Sequence, residues 1–204
     1  VIGPIFWDSM LHRLLADSAD LEQTKAALAA LLSRNYVYVR WKSGLEGSRE
    51  FRFESELFRQ ACYDALLTKD RRAYHAQVAS LLVEAGLEEM NAELVAEHFA
   101  ESGQLEKANA LLLVVGQVEL SHFSLDRAEK VLEQVEARLD LGGNEFGRRV
   151  ATRATRAGHR YLTAELARMR GKFEQAMRAY GEAQVLVNDT RERRDEYGPE
   201  ALEL

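Results

Sequence analysis

Proline is almost missing from this chain. Of 204 residues only Pro4 and Pro199 carry the ring, so nothing between them has its φ locked or its amide donor removed by proline. Alanine, leucine, glutamate and arginine prevail, all residues that lose little on entering a helix. The expected fold is mainly α. With 47% apolar and 29% charged residues, the chain has enough core material for one or two domains. No run of about 18 apolar residues occurs, which argues against a membrane span. The single cysteine, Cys62, excludes an internal disulfide and a multi-cysteine zinc site, and the expected location is a reducing cytoplasm. The opening Val1-Ile2-Gly3-Pro4 has neither a methionine nor a signal-peptide pattern and reads as an excerpt of a longer chain.

Local patterns divide the chain at about residue 90. Phe6, Met10, Leu11, Leu14 and Leu15 recur at helical spacing and predict a first helix from Ile5 to Ala16. Asp20 is placed to cap a second helix, in which Leu21, Leu28, Leu31 and Leu32 face inward, ending near Asn35. Tyr36–Trp41 and Phe51–Phe53 are rich in β-branched and aromatic residues and predict a hairpin with a polar, glycine-bearing tip. A helical stretch from Glu56 to Ala85 follows, bent around Thr68-Lys69-Asp70. Helix, helix, hairpin, helix outlines a winged-helix-like domain over residues 1–90.

Beyond Gly86 every segment reads as helix. Ala108, Ala128 and Ala176 occupy positions where two helices of a tetratricopeptide-like hairpin cross closely enough to demand a small side chain. Large apolar residues follow at Leu132 and Tyr180, with Ala183 after the last. Their spacing departs from the roughly 34 residues of regular repeats. The expectation for residues 91–204 is therefore an α-α superhelix of tetratricopeptide-like repeats with at least one lengthened helix.

Gly3-Pro4-Ile5-Phe6-Trp7-Asp8, Phe51-Arg52-Phe53, Ala61-Cys62-Tyr63, Leu66-Leu67 and Arg71-Arg72-Ala73-Tyr74-His75 resemble the region that follows the ATPase domain in bacterial multidomain signalling ATPases. That family joins a P-loop ATPase of the AAA-related, signal-transduction type to a winged helix and tetratricopeptide repeats, often behind a nucleotide cyclase or Ser/Thr kinase domain. The resemblance covers roughly residues 1–140 and implies a non-catalytic module that couples an upstream nucleotide-binding domain to a repeat array. It also implies a histidine facing the nucleotide just after the Phe-x-Phe strand. Ser55 stands at the matching position, so either nucleotide sensing is altered or the correspondence shifts by one residue. No Gly-x-x-x-x-Gly-Lys-Ser/Thr loop is present, and no cofactor is expected for these residues.

Enzyme signatures are missing. The five histidines lack His-Glu-x-x-His or other ligand spacing, so no metal is expected, and no Gly-x-Ser-x-Gly elbow occurs. Two clusters are candidate interaction sites. Arg71, Arg72 and His75 lie within one helical turn or so and suit a phosphate, a carboxylate or a domain-docking patch. Arg149, Arg153, Arg156 and Arg160 step by 4, 3 and 4, and Glu129, Glu133, Glu136 and Asp140 repeat the same steps on the preceding helix. An antiparallel hairpin turning at 141–144 sets Asp140 near Arg149 and Glu129 near Arg160 as an ion-pair ladder. If unpaired, the arginine stripe is a surface for an acidic protein segment. The aromatic residues Trp7, Tyr36, Tyr38, Trp41, Phe51, Phe53, Phe58 and Tyr63 are read as core.

A winged-helix transcriptional regulator is the competing function. A net charge of −6 and a second helix with a single lysine and arginine argue against nucleic acid. The reading from sequence is a regulatory, protein-binding module without catalytic residues, whose partners are a protein or peptide on the repeats and an upstream ATPase domain.

Overall fold

The computed structural model describes residues 1–16, 20–86, 91–141 and 151–197; at 140, 141, 151, 152 and 190–197 the backbone alone is described. The protein is mainly helical, with a small antiparallel sheet. It divides into two compact units, Val1–Glu88 with Glu101–Gly103, and Glu89–Ala100 with Gln104–Leu204.

In the first unit, β1 (Ile5–Trp7), β2 (Val37–Val39) and β3 (Glu50–Phe53) form a sheet in the order β1-β3-β2. The central strand pairs Phe51 with Phe6 on one side and with Val39 on the other. The hairpin is thus present, with its regular pairing confined to Val37–Val39, and a third strand joins it. That strand corrects the expectation of a helix from Ile5. Ile5-Phe6-Trp7 alternates in burial and completes the edge of β3, where Phe6 stacks on Phe51 at 5.5 Å. The 3.6-residue pattern begins only at Asp8.

Four helices accompany the sheet: α1 (Asp8–Leu15), α2 (Leu21–Ser33), α3 (Glu56–Asp64) and α4 (Thr68–Glu84). Asp20 caps α2 as its sequence suggests. Its carboxylate accepts the Gln23 amide at 2.7 Å while the Gln23 side chain accepts the Asp20 amide at 3.3 Å. Leu28 is buried, but Leu21, the first helical residue, is exposed, contrary to expectation. The break between α3 and α4 falls at Ala65–Leu67, slightly earlier than the Thr68–Asp70 bend expected; Thr68 already belongs to α4. Phe6, Met10, Val37, Phe51, Val78 and Leu82 fill the core. Trp41, at 94% exposure, and the half-exposed Tyr36 and Tyr38 lie outside it, which corrects their assignment to the core.

A buried carboxylate fastens the hairpin tip. Glu50 accepts the Trp7 indole N–H at 3.2 Å and the Gly44 amide at 2.8 Å, and pairs with Arg40. Asp8 does the same from outside, accepting the Arg49 amide at 3.0 Å and the Ser48 hydroxyl at 2.7 Å. Partial burial opposes its ionisation, but these bonds and the Arg49 guanidinium hold Asp8 below its usual range.

The described elements of the second unit are all helices: α5 (Ala92–Glu101), α6 (Leu105–Ser121), α7 (Leu125–Leu141), α8 (Ala151–Met169) and α9 (Phe173–Tyr197). Three turns between helices α5 to α9 share one chemistry. A residue with positive φ, Gly103, Phe123 or Gly171, follows the helix end. The next amide then reaches back to a carbonyl five residues earlier: Gln104 to Phe99, Ser124 to Glu119, Lys172 to Ala167, at 2.8–2.9 Å. The turns at Phe123 and Gly171 fold α7 back on α6 and α9 back on α8. Helix α6 packs on α7 and α8, and α8 packs on α7 and α9. Ala108 and Ala128 are 0% exposed and Ala176 is 2% exposed, as closely packed helices require. Leu120, Leu132, Leu162 and Leu166 complete the core around Ala128. Among the described residues no helix is long and apolar enough to cross a membrane.

Candidate interaction groove

The acidic and basic stripes meet, but in a different register from the one expected. Glu129 pairs with Arg170 at 2.7 Å, where Asp126 also bonds the same guanidinium, rather than with Arg160. Arg160 lies between two acids, 3.2 Å from Glu182 of α9 and 3.6 Å from Glu136 of α7. The turn expected at 141–144 lies outside the described residues, apart from the backbone of Leu141 at the end of α7. Arg149 and the Asp140 side chain lie outside the described residues. Arg153 turns to α9 and pairs with Asp189 at 3.0 Å.

Arg156 is the exception. It is exposed, and among the described residues no acid pairs with it. It stands in a groove of about 610 Å³ floored by α8 and walled by α7 and α9. Leu139 supplies apolar surface from α7, and Val185 and Leu186 supply it from α9. Glu136 and Glu182 also face the groove and share Arg160, so the lining holds two carboxylates against two guanidinium groups. Gly181 opens the α9 wall down to its backbone.

His159 is the buried part of the floor, 3% exposed. Its Nε2 lies 3.0 Å from the Leu132 carbonyl oxygen, which requires that nitrogen to carry the proton and donate. Burial pushes the imidazole below its ordinary value, against the opposing pull of Glu136 and the Leu132 carbonyl. At neutral pH His159 is therefore uncharged.

The second sequence cluster is structural in two of its three members. Arg71 donates from Nε to the Leu66 carbonyl and from Nη2 to the Asp64 carbonyl, both at 2.9 Å, and lies 4.8 Å over the Tyr63 ring. It thereby satisfies carbonyls at the end of α3 that helix geometry leaves open. His75 is buried and meets the Tyr63 hydroxyl at 3.0 Å. Tyr63, which sequence reading had only as core, joins the two. Arg72 is exposed and takes no part. Ser55 caps α3, its hydroxyl accepting the Phe58 amide at 3.3 Å.

Among the described residues no group of histidine, cysteine and acidic side chains is arranged to hold a metal ion. No family model, curated protein or solved structure matches the chain. The α9 wall was missed in the sequence. Its one signal is Gly181, an isolated glycine inside a helical run.

Proposed function

We propose that the chain is a non-catalytic regulatory and protein-interaction module of a larger signalling ATPase, in which a winged-helix-like unit couples an upstream nucleotide-binding domain to tetratricopeptide-like repeats. The observation that carries the reading is the groove over α8, where three helices present apolar side chains beside Arg156, with which no acid among the described residues pairs. Stacked helical hairpins suit such a role because their surface residues vary without disturbing the stack. Two features support the finer fold assignment: the order α1, α2, hairpin, α3 in the first unit, and the successive hairpins α6–α7 and α8–α9 in the second.

Transcriptional regulation through the winged helix is the competing reading. The exposed side of α2 offers little for it, since its one lysine, Lys25, is tied to Glu22 at 2.9 Å. Arg49 at the hairpin is likewise bound to Asp8, at 2.9 Å. Steady-state ATP turnover decides the proposal. The natural chain, with the residues encoded before Val1, is compared with the same chain lacking residues 91–204. Turnover that changes severalfold on deletion supports the module; an upstream sequence with no P-loop ATPase, or turnover indifferent to the deletion, defeats it. A salt-sensitive mobility shift with duplex DNA would favour the regulator instead.

A further inference from the structure

The charges of the groove are balanced in number but separated in space. Arg160 stands 3.2 Å from Glu182 and 3.6 Å from Glu136, so at this end two carboxylates share one guanidinium and one negative charge is left over. The three side chains are between 39% and 52% exposed, which leaves carboxylate lone pairs open to a ligand. One turn earlier on α8, Arg156 supplies the compensating positive charge, and no acid among the described residues pairs with it. The register of α8 on α9, marked by Arg160 with Glu182 and by Arg153 with Asp189, sets Arg156 level with Leu186. The cationic end is therefore the apolar one, where Leu139 and Val185 also line the cavity. His159, on the floor between the two arginines, carries no charge at neutral pH. The result is a concavity of about 610 Å³ with a negative end, a positive end and an apolar wall, and small-molecule sites commonly enclose ~300–1,000 Å³.

From this separation we infer that the α7–α8–α9 groove binds a small zwitterion with an apolar side chain, a free amino acid or a short peptide with both termini uncapped. Its carboxylate meets Arg156, its ammonium lies between Glu136 and Glu182, and its side chain rests on Leu139, Val185 and Leu186. This rests on the proposed function, where the groove is the contact surface of the repeats, and names the ligand class of that surface. Charge selects the class. An anion alone meets the surplus carboxylate and a cation alone meets Arg156, whereas a ligand bearing both signs finds its opposite at each end. Val185, 67% exposed, offers the apolar side chain its surface. Span then favours the peptide over the amino acid. One helical turn sets Arg156 and Arg160 about 6 Å apart along α8; an extended dipeptide covers about 7 Å and a single residue only about 3.5 Å.

Titration calorimetry on the full chain tests the assignment with leucine, leucyl-leucine, the N-acetylated dipeptide and the dipeptide amide as probes. Leucyl-leucine is expected to bind about tenfold more tightly than either blocked form. Arg156→Gln should weaken leucyl-leucine about tenfold and leave the amide unmoved, because the amide has no carboxylate to lose. Glu182→Gln should weaken leucyl-leucine and leave the N-acetylated form unmoved for the same reason. Both positions are exposed, so circular dichroism should show the fold retained. Leucine binding as tightly as the dipeptide supports the site and makes the free amino acid its ligand. Blocked forms that bind as tightly as the free dipeptide give the groove to a continuous protein segment and overturn the inference. So do affinities unmoved by either substitution, an equal loss for free and blocked forms in a variant, or no heat from any probe up to about 10 mM. The ATP-turnover comparison uses no peptide, so it reads the proposed function separately from this site.

Discussion

His159 Nε2 sits 3.0 Å from the carbonyl oxygen of Leu132, so a side chain of α8 is joined to the main chain of α7 inside the protein. Burial holds the imidazole below its ordinary pKa of 6.5, so the folded protein takes up a proton less readily than the unfolded chain. Stability from this site is complete above the unfolded value and falls as pH descends through the folded one. Thermal midpoints measured from about pH 8 to about pH 5 should stay level at first and then decline. His159→Gln, which keeps an N–H donor, should show a shallower decline. An identical slope in the two proteins would remove His159 from the explanation. His75, also lowered by burial, accounts for part of the slope that remains.

The two helical glycines of the second hairpin should answer substitution with opposite signs. Gly181→Ala gains helix propensity with nothing in its way and should raise stability by about 0.5–1 kcal/mol. Gly158→Val drives two methyl groups toward Leu113 and should lower it by about 1–3 kcal/mol. Urea unfolding of both variants gives the comparison; equal effects would contradict the packing described.

Ser55 is expected to matter to the fold before it matters to any nucleotide. Replacing it with Ala or His removes the acceptor for the Phe58 amide and should cost about 1 kcal/mol, whereas Ser55→Asp should keep most of the cap. If Ser55→His proves as stable as the parent, the hydroxyl cap contributes nothing measurable.

Glu50 is the most vulnerable polar residue of the first unit. Glu50→Ala strands the Trp7 indole, the Gly44 amide and the Arg40 guanidinium together, and should destabilise that unit by about 3 kcal/mol. Tryptophan fluorescence follows the loss, because Trp7 is partly buried by this contact while Trp41 is already 94% exposed. A stability change below about 1 kcal/mol would mean that water replaces all three bonds.

Phe123 holds φ at 59° in the α6–α7 turn, a conformation costing roughly 1–2 kcal/mol for a residue with a side chain. It is also 75% exposed, so little packing is lost on removal. Phe123→Gly should therefore raise the thermal midpoint, and a fall would show that the ring contributes more than its exposure suggests.

Patterns confined to one element were the legible ones. Asp20 announced its helix because an aspartate directly before a helical run is a ready cap, and Ala108, Ala128 and Ala176 announced close helix crossings because small residues recur among large ones. Ile5–Trp7 was misread because three residues are too few to separate period 2 from period 3.6, and its strand character depends on Phe51, far along the chain. The ladder register failed for a related reason. Steps of 4, 3 and 4 define a helix face, but they do not say which residue of a neighbouring helix stands opposite. The α9 wall needed the third helix in place. Nothing around Asp189 or Glu182 in the sequence singles out an arginine partner.

Arg160 reaches Glu136 on one wall of the groove and Glu182 on the other, so one guanidinium acts as a tie rod across an open span. Both links are solvent-accessible and subject to ionic screening, with a Debye length of about 8 Å at physiological salt. The floor beneath, closed by apolar contacts around Leu132 and Leu162, is not screened in this way. Added salt therefore weakens the two links that span α7 and α9 while leaving the apolar base untouched, so the tie across the cleft depends on the surrounding electrolyte and its floor does not.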